Sequence, residues 1–280
     1  MSQHKTYAKV IADTVAPNGV RITTLEVCFH RWILPEFNTH RVFSRNFRSS
    51  RAVPVKKLIE EVRNEPATPV HWGKNQPGMQ ADEEHDVDLT YYHRGIHGKE
   101  MVIASREAFW QSAANDAAKH AEVLSEAGYH KQIVNRLLEP FLYTYGVVTS
   151  TEWDNFFALR DHPDAQPEIR LLAQKMKEAM DASEPRQGHT HLPYADTQDW
   201  TIQNLWQSVA RCARVSIKPF DSDNPSTVGK DRELYGKLIT SNPAHASPFE
   251  HQALSMPNYS AQDKWRNFTG WQQHRDILGI

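Results

Sequence analysis

Cysteine is almost missing from this chain: Cys28 and Cys212 are the only two in 280 residues. Two thiols are too few for a disulfide framework or a zinc site built on cysteine. Long apolar runs are missing as well. No stretch approaches the roughly 20 residues of a membrane span, and the opening Met-Ser-Gln-His-Lys has no apolar signal core, so a soluble, cytoplasmic protein with no membrane partner is expected. General basicity is the third absence. A net charge of −2 and a pI near 6.7 argue against a nucleic-acid binder, whose whole domain is normally basic, so no stable nucleic-acid partner is expected. The length gives ample core for one large domain or two small ones.

The positive charge that is present is local. From Thr39 to Arg51 stand Arg41, Arg45, Arg48 and Arg51, with no acid until Glu60, while Ser44, Asn46, Ser49 and Ser50 fill the gaps. Guanidinium forks hold phosphate at two points, and hydroxyl and amide groups add further hydrogen bonds. The segment suits an anion. Arg41, Arg45 and Arg48 also follow helical spacing, so residue types alone leave open a solvated helix face or a nucleic-acid patch.

Around this segment the pattern predicts strands over Tyr7 to Val15 and Val20 to Ile33, joined at Ala16-Pro17-Asn18-Gly19. A short helix is expected from Lys57 to Asn64, followed by a long polar loop from Pro66 to Glu100. That loop holds Asp82-Glu83-Glu84-His85-Asp86 and the pair His93 and His97. With 15 histidines in the chain such pairs arise by accident, so no metal site is predicted. Helices are expected over Ser105 to Ala127, Tyr129 to Leu138, Ala165 to Ala182, Asp199 to Arg211 and Lys230 to Thr240, with a linker from Gly188 to Tyr194.

His40, Arg41, Ser44, Asn46, Ser49 and Arg51 fill six of the seven fixed positions of the pattern Arg-His-Arg-x-x-Ser-x-Asn-x-x-Ser-x-Arg. The chain thereby resembles the flavin-dependent thymidylate synthases. A second block supports the resemblance. Within Thr149 to Ile169, Asn155, Phe156, Leu159, Arg160, Ala165, Gln166, Glu168 and Ile169 match the family's Asn-Phe-Leu-x-Leu-Arg and Ala-Gln-x-Glu-Ile run. Arg136-Leu-Leu-Glu-Pro140 resembles the family's Arg-x-x-x-Pro segment. On periodicity alone Arg136 reads equally as a surface arginine. Ala213-Arg214-Val215-Ser216 and His245-Ala-Ser247-Pro248-Phe249-Glu250-His251 are similar to its flavin-binding block. In the family that block precedes the arginine signature; here it comes last. The tail Gly270-Trp-Gln-Gln-His-Arg275 resembles the approach to that signature, as in a permuted chain with a second partial copy of one strand.

The resemblance implies an α+β fold, a twisted, mainly antiparallel sheet flanked by long helices with permuted block order. It implies self-association as a homotetramer with flavin sites drawn from several subunits. Residues 1–187 would form the catalytic core and 188–280 would carry the flavin-binding-like block. The activity implied is reductive methylation of dUMP to dTMP, with methylenetetrahydrofolate as one-carbon donor, FAD as cofactor and NADPH as reductant. Arg160 would activate the base, a role that a permanently charged donor fits. Glu36, Ser49, Ser50, Arg51 and Arg136 would meet the nucleotide, and His40, Arg41, Asn155, Ser216, His245, Ser247 and Glu250 the flavin. Flavin-free thymidylate synthases use a cysteine in a Pro-Cys-x-His context, which neither Cys28 nor Cys212 has.

Departures from the pattern carry alternatives. Thr39 and Phe47 replace an Arg and a Glu, and Glu36 stands where a Gln usually meets dUMP. Thr149, Thr151 and Asp164 replace flavin-contacting residues. A related enzyme that methylates or hydroxymethylates another pyrimidine nucleotide, such as dCMP, is one alternative. Two others are a catalytically lapsed nucleotide-binding subunit and a nucleic-acid-binding module using the arginine segment.

Overall fold

A computed structural model describes residues 4–95, 98–215, 226–255 and 262–280. Its centre is a sheet in the order β3-β6-β2-β1-β7, formed by β1 (Tyr7–Val15), β2 (Arg21–His30), β3 (Ser44–Phe47), β6 (Tyr143–Ser150) and β7 (Arg186–Gln187). All pairings are antiparallel except β1 with β7. The β1–β2 turn closes because Gly19 takes φ +84° and donates its N–H to the Ala16 carbonyl at 2.8 Å.

Side-chain alternation gives the sheet two different faces. On one, Leu25, Val27 and Phe29 of β2 and Val148 of β6 pack with Ile169, Leu172 and Met176 of helix α6 (Pro167–Asp181). Phe37, Phe43 and Phe156 complete this core, and they come from α1 (Leu34–Phe37), its following loop and α5 (Asp154–Arg160). The other face is polar in its middle. Thr24 of β2 and Thr149 of β6 stand there 2.7 Å apart, and the C-terminal third of the chain covers them.

That covering brings two buried imidazoles onto the sheet. His191 of β8 (Thr190–His191) lies 3.1 Å from Thr14 Oγ1 through Nδ1 and 2.7 Å from Thr24 Oγ1 through Nε2. Thr149 Oγ1 in turn meets His251 Nδ1 at 2.9 Å. Strand β8 pairs with β9 (Ala253–Leu254), which pairs in turn with β12 (Gln272–Gln273), while the hairpin β10–β11 (Lys264–Trp265, Phe268–Thr269) sets Phe268 and Trp271 against Ala16 and Ile22. Helices α7 (Ile202–Arg214) and α8 (Val228–Thr240) lie outside, with Cys212 and Val215 against Val147 and Tyr194. No described helix is long and apolar enough to cross a membrane.

A third layer pairs α2 (Val55–Asn64) with α3 (Arg106–Glu126). Ala114, Ala118 and Ala121 form a small-residue stripe that admits Leu58, Ile59 and Val62 closely.

Several expectations shift. The second strand stops at His30 and not at Ile33, because Arg31–Ile33 coils into a 3-10 turn ahead of Pro35. The helix expected over Tyr129 to Leu138 is one turn, α4 (Lys131–Val134), followed by a 3-10 segment (Asn135–Phe141). Inside the loop expected from Pro66 to Glu100 lies part of a hairpin, β4 (Leu89–Gly95) with β5 (Gly98–Ala104). The arginine segment is no helix: Ser44–Phe47 pairs with β6, so its side chains alternate between the two sheet faces.

One pairing explains Phe47. It sits opposite Gly146 in register, and a Cβ built on Gly146 would lie 2.0 Å from its ring. The ring lies flat across the glycine and meets Phe29 and Phe37 edge-on at 5.4 and 5.5 Å. Gly146→Ala is therefore expected to destabilise the fold by about 2 kcal/mol through displacement of that ring. Urea unfolding checks it, and an unchanged midpoint would mean that the ring moves at no cost.

Candidate active site

Arg160 and Glu36, from separate elements, meet at one wall of a cavity of about 1260 Å3, and His40 backs Arg160. Arg160, in the last turn of α5, donates Nε–H to His40 Nε2 at 2.9 Å and pairs through Nη1 with Glu36 of α1. Core packing directs all three: Phe156 fixes α5, Phe37 fixes α1, and the Phe156 ring meets His40 edge-on at 4.9 Å. Burial, then the guanidiniums of Arg160 and Arg45, push the His40 imidazole down to about 4. It is neutral near pH 7 and accepts from Arg160. Trp32, Trp110, Pro140 and Pro167 supply apolar walls, with the two indoles edge-to-face at 6.1 Å.

A second cavity, of about 480 Å3, opens beyond the same loop. Arg41, Arg45, Arg266 and Arg275 line it together with Glu250, Asn267 and Gln273. Arg45 holds the loop's shape by donating to the carbonyls of Asn38, His40 and Phe43 at 3.0–3.1 Å. Arg41 is exposed and has no ion-pair partner among the described residues. Glu250 pairs with Arg275, and burial raises its carboxyl even against the nearby guanidiniums of Arg275, Arg266 and Arg45. Asn46 and Ser247 approach to 3.5 Å, which brings the arginine strand and the terminal block together.

A third group surrounds Glu139. Ser50 donates to its Oε1 at 2.6 Å, Arg136 at 2.8 Å and Arg31 at 3.1 Å. Arg31, Arg136 and Glu139 line a further cavity of about 600 Å3 with Trp32 and Asn38.

The residues singled out from sequence thus fall into distinct places. Glu36, His40 and Arg160 form one cluster; Arg41 and Glu250 line the second cavity, with Ser247 at the arginine strand. Ser50 and Arg136 meet at Glu139. Ser49 precedes a 3-10 turn that leaves Arg51 exposed, His245 is exposed, and Asn155 is exposed in the first turn of α5, lining none of these cavities. Ser216 lies outside the described residues. Arg48 is engaged elsewhere, with Glu61 at 3.0 Å and above the Tyr145 ring. Arg31 and Glu139 were missed as site residues. Arg31 is hidden by its place at the end of a strand, and Glu139 by sitting inside a motif read for its arginine.

Both thiols are buried, and burial raises them, Cys28 to about 12 and Cys212 further. Neither is a ready thiolate nucleophile near pH 7. Among the described residues no group of three or more His, Cys, Asp or Glu side chains could hold a metal ion.

The fold and cavities define an α+β protein with guanidinium-lined clefts on both sides of one loop, an arrangement for anionic ligands. The chain belongs to the thymidylate synthase complementing protein family (Thy1), whose sequence profile matches residues 20–186. Among solved structures, it is similar to a UMP/dUMP methylase, PolB, from Streptomyces cacaoi bound with 5-Br dUMP. Identity is 15%, covering 64% of this chain and 90% of that one, with a TM-score of 0.44. It is also similar to thymidylate synthase X from Helicobacter pylori with FAD and dUMP, at 16% identity over 57% of this chain and 67% of that one, TM-score 0.37. Comparison with curated proteins gave no significant match.

Proposed function

We propose that the protein is a flavin-dependent thymidylate synthase, converting dUMP to dTMP with methylenetetrahydrofolate and NADPH. One observation carries this reading beyond family membership. Arg160, the residue expected to activate the base, stands at a cavity wall held from two sides by Glu36 and a neutral His40. A guanidinium fixed in this way presents charge without reorganising, which is what stabilisation of an electron-rich pyrimidine requires.

The second cavity fits FAD by its donor set. Four guanidiniums, that of the exposed Arg41 among them, and an amide pair suit a diphosphate, and Ser247 and Glu250 of the terminal block stand at the same strand and loop. When bound, FAD would supply hydride. Arg41, Arg45 and Arg275 would hold it there, while His40 keeps Arg160 aimed at the nucleotide. The terminal block would thus serve this side despite its late position in a permuted order. The rest of the flavin site would come from other subunits of a homotetramer.

Glu36 favours a second reading. A carboxylate beside Arg160 accepts from an exocyclic amino group, so a cytosine edge, as in dCMP, fits the same wall. Purified protein incubated with FAD, NADPH and labelled methylenetetrahydrofolate is expected to form labelled dTMP from dUMP, read by mass spectrometry. Label in a dCMP product alone would transfer the proposal to the second reading. Protein that takes up no flavin absorbance and labels neither would leave only a lapsed, nucleotide-binding role.

A further inference from the structure

Glu139 lies inside a set of donors that otherwise suits a ligand. Its single Oε1 atom accepts from a buried hydroxyl, Ser50, and from two guanidiniums, Arg31 and Arg136, at 2.6–3.1 Å. All three donors are held independently of one another. Ser50 is 4% exposed, at the start of a 3-10 turn that Asn135 fastens by donating to the carbonyls of Ser50 and Val53. Arg31 follows β2 and donates its other terminal nitrogen to the Arg48 carbonyl at 3.3 Å. Arg136 stands one turn before Glu139 and is half exposed. Two cations and a hydroxyl on one oxygen form a seat for a tetrahedral anion, and Arg31, Arg136 and Glu139 line a cavity of about 600 Å3, with Ser50 buried behind them.

We propose that Glu139 is an internal competitor for the phosphate of the pyrimidine nucleotide: it occupies the seat formed by Arg31, Ser50 and Arg136 until the phosphate displaces it. The substrate class and the nucleotide role of Ser50 and Arg136 rest on the dUMP reading above; Arg31 and the competitor rest on geometry. A phosphomonoester carries a charge of about −1.5 to −2 near pH 7 and three acceptor oxygens. Glu139 offers one charge and uses one oxygen for all three contacts. The phosphate therefore gains more from the same donors, one oxygen for each, while the Glu139 side chain, partly exposed, swings to solvent. Its presence sets a threshold: a nucleoside without phosphate leaves Glu139 in place, so Glu139 makes the site discriminate for the charged substrate.

Glu139→Gln keeps the size and a hydrogen bond to Ser50 but removes the competing charge. Calorimetric titration of the full chain is expected to show about tenfold lower Kd for dUMP and for inorganic phosphate, with deoxyuridine unchanged. Arg31→Gln is expected to weaken both phosphate-bearing probes by about tenfold and to spare deoxyuridine. Equal or weaker phosphate binding by Glu139→Gln, with a melting temperature close to wild type, overturns the proposal; so does equal tightening of deoxyuridine. If the variant binds inorganic phosphate more tightly but no dUMP, the seat stands and the nucleotide reading falls. If Glu139 merely braces the arginines, Glu139→Gln loses phosphate affinity, the reverse sign.

Discussion

Arg160→Ala is expected to lower turnover by about a thousandfold while the protein still folds and still binds flavin. Magnitudes of this size follow removal of a fixed donor from a site where charge develops. The substitution removes three things together: the charge at the cavity wall, the partner of Glu36, and the donor to His40 Nε2. Stability should fall by only about 1–3 kcal/mol, the cost of leaving a buried imidazole nitrogen unsatisfied. Arg160→Lys separates charge from geometry. An ammonium restores the charge but cannot hold both Glu36 and His40 with the planar fork, so it should recover only a small part of the lost rate. Steady-state turnover and flavin absorbance on the same preparations measure both halves. A variant with near-normal turnover would remove base activation by Arg160 from the proposal.

The second large effect is acid lability. Outside the Arg160 cluster, burial lowers four imidazoles furthest from the ordinary 6.5: His30 and His274 to about 4, His191 and His251 to about 3. In the unfolded chain each takes up a proton as pH falls through 6.5; in the folded protein each stays neutral until pH 4 or below. The unfolded state therefore binds more protons across that window, and stability falls with pH. Four such groups give a slope of up to about 5 kcal/mol per pH unit between pH 6 and 4. A domain with total stability of about 5–15 kcal/mol should then unfold near pH 5. Circular dichroism against pH locates the transition. His191→Gln, whose amide can still meet Thr24, should flatten the slope by about a quarter. A transition below pH 3 that no histidine substitution shifts would assign acid unfolding to carboxylates instead.

How much was legible depended on whether the signal was local. The β1–β2 hairpin was, because β-branched runs flank Ala16-Pro17-Asn18-Gly19 and Gly19 adopts the backbone that the turn needs. Helices α3, α6, α7 and α8 were legible to within a few residues from apolar spacing, with α3 starting at its Ser105 cap and α8 starting two residues before the expected Lys230, behind the Thr227 cap. The backbone of the arginine segment was left open by its residue types. Helical spacing of Arg41, Arg45 and Arg48 competes with a strand set only by pairing to β6, a partner about 100 residues away in sequence.

The candidate site shows the same division. Arg160, His40 and Glu36 were named from motif spacing, and they meet. That Ser50 and Arg136 would find Glu139 and Arg31 follows from the 3-10 turns after β3 and α4, which no residue pattern announces. The terminal block divides too. Glu250 faces a cavity, whereas His251, next to it, is fully buried against Thr149.

The line from Thr14 through His191, Thr24 and Thr149 to His251 has a directional consequence. Where each hydroxyl spends its one proton within the line, it donates to one neighbour and accepts from the other, and each neutral ring does the same or ends the line. Two arrangements then keep every link: all protons point toward His251, or all point toward Thr14. In the first, His191 carries its proton on Nε2 and so does His251; in the second both carry it on Nδ1. In both, the tautomers of two rings about 60 residues apart change together, and Nε2 of His251, which has no partner among the described residues, ends the line.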